Sequence, residues 1–331
     1  MACKKNKAET LSLAAPGISL KSLHYEQILD TKPNVSWFEV HPENLKSGMT
    51  LSYVERIRQD YPLSFHSVGL SLGSAVFNEA YLDFLKEMIV RLSPVLFSGH
   101  VAWNYAEGAY IDDLLPLPYN DESLCVLVDN IQKTQDVLQR HILIENPSSY
   151  VGFENNSYTE CDFVINAAKK SGCGILLDLN NIYVSHKNGG ENPKEYIKKM
   201  IKSGLVREIH LGGHDIFKLP SEEVVFLDTH STRVASSVWD LFDYCLSLSR
   251  VSIPVLIEWD QNLPSLDVLL AEAEIGKHIW HVMQHLKQLQ HRFKKILGGQ
   301  KDEACSAQVV NVDRLFCTRK TKQSDCYQAF T

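Results

Sequence analysis

The chain has 331 residues, of which 44% are hydrophobic and 22% are charged, and its formal net charge is −7. This is the composition of an ordinary globular protein with enough apolar side chains for a large core. The negative charge argues against a nucleic-acid-binding protein, because such proteins usually need a basic face to neutralise phosphates.

The N-terminal residues predict no targeting segment. Lys4, Lys5 and Lys7 resemble the charged start of a signal peptide, but no apolar stretch follows them. No part of the sequence approaches the length of a membrane-spanning helix. We therefore expect a cytoplasmic protein that does not associate with membranes and whose residues 1–10 are disordered.

Eight short apolar runs recur along the chain, and most are followed by a longer segment. Each run is rich in β-forming residues or Leu, as buried parallel strands are. The predicted strands are residues 11–18, 35–41, 62–66, 94–100, 141–146, 173–180, 206–211 and 253–259. Helical periodicity is clearest in residues 79–92, 123–140 and 238–249, and a last helix is expected over 265–297, unusually long or broken near Gly276.

Strands that alternate with helices predict a parallel sheet, and eight such units favour a closed barrel over an open sheet. The predicted fold is therefore α/β, a single (β/α)8 barrel of the triosephosphate-isomerase type over residues 11–299. Residues 300–331 are polar and contain three of the eight cysteines, and we assign them to a C-terminal extension of unknown structure. The scattered cysteines include no C-x-x-C pair, so neither a disulfide framework nor a cysteine-based zinc site is expected.

Seven of the eight predicted strands end in a side chain that can bind a metal ion or transfer a proton. The C-terminal strand ends of a (β/α)8 barrel converge on one face, where active sites lie. The six strongest candidates are His66, His100, Glu145, Asp178, His210 and Glu258. Imidazole and carboxylate groups suit iron, manganese or zinc, and six of them exceed what one ion needs. The sequence therefore predicts a site for two or more ions, with bridging carboxylates.

Further polar residues lie beside or downstream of these strand ends. Asn180 follows Asp178, and His214 closes the motif HLGGH. Asp228 and His230 have a D-x-H spacing that puts both side chains on one side of an extended segment. These residues could complete another ion site or orient the first ligands. The residues predicted to have such a supporting role are His41, Glu43, His214 and Asp260.

Nine motifs resemble, in order, the multinuclear non-heme iron-dependent oxidases, which were long grouped as a bacterial domain of unknown function and include the methanobactin-biosynthesis oxidase. The motifs are EVHPEN, SFHSVGLSLGS, SGHVAW, LLPLPY, ILIENPSSY, LLDLNNIYVS, EIHLGGH, LDTH and LIEWD, and the match covers about residues 16–275. The resemblance implies a barrel of the xylose-isomerase kind that holds two or three iron ions as mixed Fe(II) and Fe(III).

The resemblance also implies that dioxygen is used to modify cysteine residues of a ribosomally made precursor peptide. A small partner protein would recognise the leader of that peptide. On the matching motifs, the six strongest candidates would bind the main iron pair. Asn180, Asp228 and His230 would hold a third iron, with His214 adjacent, and no catalytic residue is implied beyond the ligands.

The residues themselves leave other functions open. A zinc or manganese isomerase, or an endonuclease-like hydrolase, could use a similar set of His, Asp and Glu side chains in a barrel. A metal-binding protein without catalytic activity is a further alternative. The identity of the bound metal would discriminate among these functions.

Overall fold

The computed structural model describes residue 13 and residues 15–298, with side chains as far as residue 289. The predictions for residues 1–10 and 300–331 therefore lie outside the described residues. The chain divides into two compact units, of which the first ends at His285 and the second begins at Leu286.

Eight parallel strands close into a barrel, which confirms the predicted fold class. The barrel strands are β1 (Gly17–Ser19), β2 (Phe38–Val40), β3 (Leu63–Ser67), β4 (Leu96–His100), β7 (Leu143–Glu145), β8 (Gly174–Asp178), β9 (Val206–Leu211) and β12 (Val255–Ile257). Their order around the barrel is β1-β12-β9-β8-β7-β4-β3-β2. Each of the eight predicted runs contains or overlaps one of these strands.

The described residues contain nine α-helices: α1 (Tyr25–Thr31), α2 (Gly48–Arg58), α3 (Glu79–Leu92), α4 (Asp121–Leu138), α5 (Glu160–Ser171), α6 (Leu179–Lys187), α7 (Pro193–Ser203), α8 (Ser236–Leu248) and α9 (Leu266–Gly298). The last helix was expected to be either unusually long or broken near Gly276. The helix α9 continues through Gly276 without a break, so the unusually long helix is correct. Among the described residues, no helix has both the length and the apolar character needed to cross a membrane.

Two β-hairpins outside the barrel were not predicted from the sequence. The strands β5 (Trp103–Ala106) and β6 (Ala109–Leu115) form the first, and β10 (Asp215–Lys218) and β11 (Val224–Leu227) form the second. They follow β4 and β9, so both lie in connections at the C-terminal ends of barrel strands. The strand β6 ends within the motif LLPLPY, at residues 114–119.

The start of α6 connects the fold to the site. Asp178 ends β8 and also caps α6, since its Oδ1 accepts a hydrogen bond of 2.6 Å from the backbone N–H of Asn181. An N-cap carboxylate satisfies one of the free N–H groups of the first helical turn. The chain therefore passes from strand to helix at a predicted ligand and holds that side chain in one orientation.

Candidate metal centre

The first group of possible ligands brings together His66, His100 and Glu145, from three neighbouring barrel strands. His66 Nε2 lies 3.1 Å from Glu145 Oε2, and His100 Nε2 lies 3.2 Å from the same oxygen. The two Nε2 atoms are 3.1 Å apart. Ligand atoms at right angles around an ion with bonds of about 2.0–2.2 Å lie about 3 Å apart. The three atoms therefore have the spacing of one face of a coordination sphere.

The hydrogen bonds of His66 leave its Nε2 suited to a metal ion. Its Nδ1 lies 2.7 Å from Ser98 Oγ, and Ser98 Oγ lies 3.4 Å from the carbonyl oxygen of Phe65. When the serine hydroxyl donates to that carbonyl, it accepts the Nδ1–H of the ring. The lone pair of Nε2 is then directed towards His100 and Glu145, as in many metal sites where a second hydrogen bond fixes the histidine tautomer.

The second group contains Glu145, Asp178, His210 and Glu258, whose ligand atoms lie within 4.8 Å of one another. His210 Nδ1 is 2.9 Å from Glu258 Oε2. All four side chains are buried, at 3% exposure or less. Glu145 belongs to both groups, so one carboxylate lies where it could bridge two ions.

A third group surrounds His230 at the edge of the second. Its Nδ1 lies 3.1 Å from Asp260 Oδ2 and 3.5 Å from Glu258 Oε2. On the other side of the ring, Nε2 lies 2.8 Å from Asp228 Oδ1. His230, Glu258 and Asp260 have ligand atoms within 4.8 Å of one another, so Glu258 is shared between the second and third groups.

Asn180 and His214 lie beside this third group. The Asn180 amide donates to Asp228 Oδ1 over 2.6 Å, and its Oδ1 lies 2.8 Å from His214 Nδ1. The structure thus brings together the four residues assigned to a third iron or its surroundings. It adds Glu258 and Asp260 to them, although Asp260 was predicted only as a supporting residue.

Burial makes two carboxylates of this centre, Glu145 and Asp178, costly to ionise. Desolvation raises the pKa of Glu145 well above its usual value, although His210 lowers it in part. Desolvation likewise raises the pKa of Asp178 to about 7, against a smaller opposing effect of His230. Buried carboxylates in such surroundings are stabilised in their charged form by a cation.

The histidines near β3 and β4 are in the form that binds metals. Burial lowers the pKa of His66 well below its usual value and that of His100 to about 4. Both rings are therefore neutral near pH 7, and a neutral imidazole is the ligand form. Glu145 Oε2 and Asp178 Oδ2 also have no hydrogen-bond partner among the described residues. Donor types, spacing and unpartnered atoms together fit a group of bound cations.

The predicted supporting residues occupy two different places. His41 follows β2, and its ring centroid lies 5.7 Å from that of His66, with Nε2 3.9 Å from Asp260 Oδ1. Glu43 Oε1 instead accepts hydrogen bonds from the backbone N–H of Gly69, over 2.7 Å, and from the hydroxyl of Tyr81. Glu43 therefore fixes the connection after β3.

Three charged residues of this centre, of which Glu39 and Glu208 are buried, were missed from the sequence. Glu39 and Glu208 lie two residues before His41 and His210, on the same strand faces. That spacing was a usable signal, because a carboxylate inside an apolar run is unusual. Lys21 follows β1, and its Nζ lies 2.5 Å from Asp260 Oδ1. A single lysine after a strand carries no comparable signal.

Replacement of Lys21 should destabilise the protein more than replacement of an exposed lysine. Its side chain is only 11% exposed, so Lys21→Met would leave Asp260 without its close cationic partner. We expect a loss of about 1–3 kcal/mol in the free energy of unfolding, measured by urea denaturation. Lys32→Met, which removes an exposed pair with Asp60, should cost less than about 1 kcal/mol. Equal losses in the two variants would show that Lys21 supports nothing beyond a surface ion pair.

Curated relatives cover most of the chain. A UPF0276 protein of Psychromonas ingrahamii is 40% identical over 259 residues, which are 77% of this chain and 90% of the relative. A UPF0276 protein of Acaryochloris marina is also 40% identical, over 80% of this chain and 94% of the relative.

Solved structures show the same fold at low sequence identity. A D-psicose 3-epimerase from Clostridium cellulolyticum H10 has a TM-score of 0.55 and 12% identity, and the match covers 81% of this chain and 99% of the epimerase. The protein SMc04130 of Sinorhizobium meliloti 1021 has a TM-score of 0.51 and 10% identity, over 79% of this chain and 97% of that protein. These similarities confirm a barrel of the xylose-isomerase kind and concern the fold alone.

A family model described as RiPP precursor modification enzyme MbnB/TglH/ChrH matches residues 15–281. RiPP denotes a ribosomally synthesised and post-translationally modified peptide. The matched range contains every ligand candidate described above, from His41 to Asp260. The resemblance seen in the nine motifs is thereby confirmed. The chain belongs to the MbnB/TglH/ChrH family of RiPP precursor modification enzymes.

Proposed function

We propose that this protein is an iron-dependent oxidase that uses dioxygen to modify cysteine residues of a precursor peptide. The observation that supports it best is the position of Glu145, which belongs to two adjacent groups of nitrogen and oxygen ligands. Such donors suit iron in both of its common oxidation states. Membership of a family that modifies precursor peptides supplies the class of substrate.

Bound iron would supply the activation of dioxygen and an attachment point for the substrate thiolate. His66, His100 and Glu145 would hold one ion, and Glu145, Asp178, His210 and Glu258 a second. Asn180, Asp228 and His230 would hold a third, with Glu258 and Asp260 on the Nδ1 side of the His230 ring. The chain would supply ligands, orientation and shelter from water, and no protein nucleophile is needed.

Several described residues would keep the ligands in place. Ser98 would fix the tautomer of His66, and the N-cap bond to Asn181 would hold Asp178. Asn181 also donates from its Nδ2 to Glu145 Oε1 over 3.2 Å. Loss of such a supporting bond commonly lowers metal affinity or activity 10- to 100-fold.

The connections around the C-terminal strand ends expose apolar side chains that suit a peptide. Large apolar residues in the connections after β3, β4, β7 and β9 are exposed: Val76, Tyr110, Ile111, Tyr150, Val151, Phe153, Ile216, Phe217 and Val224. Exposed apolar residues at a site are typical of surfaces that bind another chain. We infer that the precursor peptide, or a small partner protein that presents its leader, covers these residues.

Metal analysis with spectroscopy tests the proposal. Protein purified without oxygen from iron-supplied cells should contain two to three irons per chain and show Mössbauer signals of a coupled iron cluster. A cysteine-containing precursor peptide encoded near the gene should be oxidised with consumption of dioxygen. A protein that holds only zinc, and that leaves the peptide unchanged in air after iron has been supplied, would contradict the proposal and favour an isomerase or hydrolase.

A further inference from the structure

A second cluster of polar side chains lies deeper in the barrel than the ligands described above. Glu39 on β2 and Glu208 on β9 precede the strand ends by one inward-facing position. Their carboxylates lie on the Nε2 side of the His210 ring, opposite the side that faces Glu258. Nε2 is 3.3 Å from Glu39 Oε2 and 3.8 Å from Glu208 Oε1.

These groups are buried and largely without partners. Glu39 is 1% exposed, and Glu208 and His210 are fully buried. Neither oxygen of Glu208 has a hydrogen-bond partner among the described residues, and the same holds for Glu39 Oε1 and His210 Nε2. The other oxygen of Glu39 accepts a hydrogen bond of 2.9 Å from Ser64 Oγ. A buried carboxylate with both oxygens unpaired is rare, because burial without a hydrogen bond or a counter-ion is costly.

The spacing of the donor atoms suits a cation. The ligand atoms of Glu39, Glu208 and His210 all lie within 4.8 Å of one another. The separations of 3.3 Å and 3.8 Å from His210 Nε2 to the two carboxylates fit donor atoms that share one divalent ion. The unpartnered second oxygens of both carboxylates could add two further bonds, so three residues offer up to five donors.

We infer that Glu39, Glu208 and His210 Nε2 bind a divalent metal ion inside the barrel, separate from the ions at the strand ends. Two carboxylates balance its charge, and binding displaces the proton from Nε2. With an ion of the Glu145, Asp178 and Glu258 group on Nδ1 as well, His210 would bridge the two ions as an imidazolate, the Nδ1 proton being displaced too. In the barrel order, β1 and β12 lie between β2 and β9, so the ion would join strands that are not neighbours. The inference does not depend on the proposed oxidase function.

Anomalous X-ray diffraction tests the site directly. Crystals of the full chain are soaked in Mn²⁺, and anomalous difference maps are calculated for the wild type and for Glu208→Gln. We expect a wild-type peak within bonding distance of Glu39, Glu208 and His210 Nε2, and its loss in the variant. Mass spectrometry of the metal content should show about one Mn²⁺ fewer per chain in the variant.

The control is Glu272→Gln, because Glu272 on the outer helix α9 is likewise buried, at 2% exposure, but pairs with Arg233. This variant should keep the wild-type Mn²⁺ count. A wild-type map without the inner peak would overturn the inference, even if Glu208→Gln does not fold. An unchanged Mn²⁺ count in a folded Glu208→Gln would also overturn it. Peaks around Glu145 report separately on the site of the proposed oxidase.

Discussion

Glu145→Gln should remove bound metal and abolish the oxidation while leaving the metal-free protein at least as stable as the wild type. The amide keeps the size of the side chain, but it is a poor ligand and cannot bridge two ions. We expect the loss of at least one iron per chain and a fall in oxidation rate of more than about 100-fold, beyond the effect usual for residues that only support ligands. Metal analysis and dioxygen consumption measure both losses.

The stability of the metal-free form separates a ligand from a structural residue. Burial raises the pKa of Glu145 well above its usual value, so the ionised carboxylate destabilises the metal-free folded state. Glutamine carries no charge and removes this destabilisation. Glu272 is a matched buried carboxylate that bonds to Arg233 and, among the described residues, to no ligand candidate. The control Glu272→Gln should therefore keep its iron. A Glu145→Gln protein with full iron content would refute the assignment of Glu145 as a bridging ligand.

Asp178→Asn should stabilise the metal-free protein near neutral pH and have little effect near pH 4. Burial raises the folded-state pKa of Asp178 from 3.8 to about 7. The contribution of such a group to stability is present below pH 3.8 and is lost as the pH rises through about 7. Asparagine does not titrate, and it caps helices as well as aspartate does, so the bond to Asn181 can be kept.

Thermal unfolding after chelation measures this difference. At pH 7.5 the variant should be more stable than the wild type by on the order of a few kcal/mol. Added metal should make the wild type the more stable of the two proteins, because only the wild type retains the carboxylate ligand. Asp60→Asn, which alters an exposed pair with Lys32, should give curves that differ from wild type by less than about 1 kcal/mol at either pH. A metal-free Asp178→Asn protein that is less stable at pH 7.5 would mean that the carboxylate is needed for folding itself.

The barrel could be predicted because its strands are buried on both faces. Runs such as residues 173–180 are apolar almost throughout, and they stand out from the helices that separate them. The same succession of apolar runs and helices predicted which residues lie together at the site, since the C-terminal ends of the parallel strands in a barrel converge. His66, His100 and Glu145 come together for this reason alone.

The parts that escaped prediction depend on long-range packing. In the hairpin of β5 and β6, the segment Ala109–Leu115 is exposed over most of its length and contains two aspartates, so no apolar alternation marks it. The role of Lys21 depends on its ion pair with Asp260, which lies 239 residues later in the sequence. Glu39 and Glu208 escaped prediction because neither lies at a strand end. The alternation of side chains nevertheless places each of them directly below a ligand candidate, one inward position earlier on its strand.

The two hairpins contribute no strand to the barrel, and they lie in the connections after β4 and β9. Their length and side chains can therefore change without shifting the pairing of any strand that carries a ligand. Evolution could diversify the peptides recognised at the rim while the ligand set stays constant, as it does where variable loops are mounted on a rigid scaffold. Relatives that share the ligands but differ in these hairpins would then be enzymes of one chemistry and many substrates.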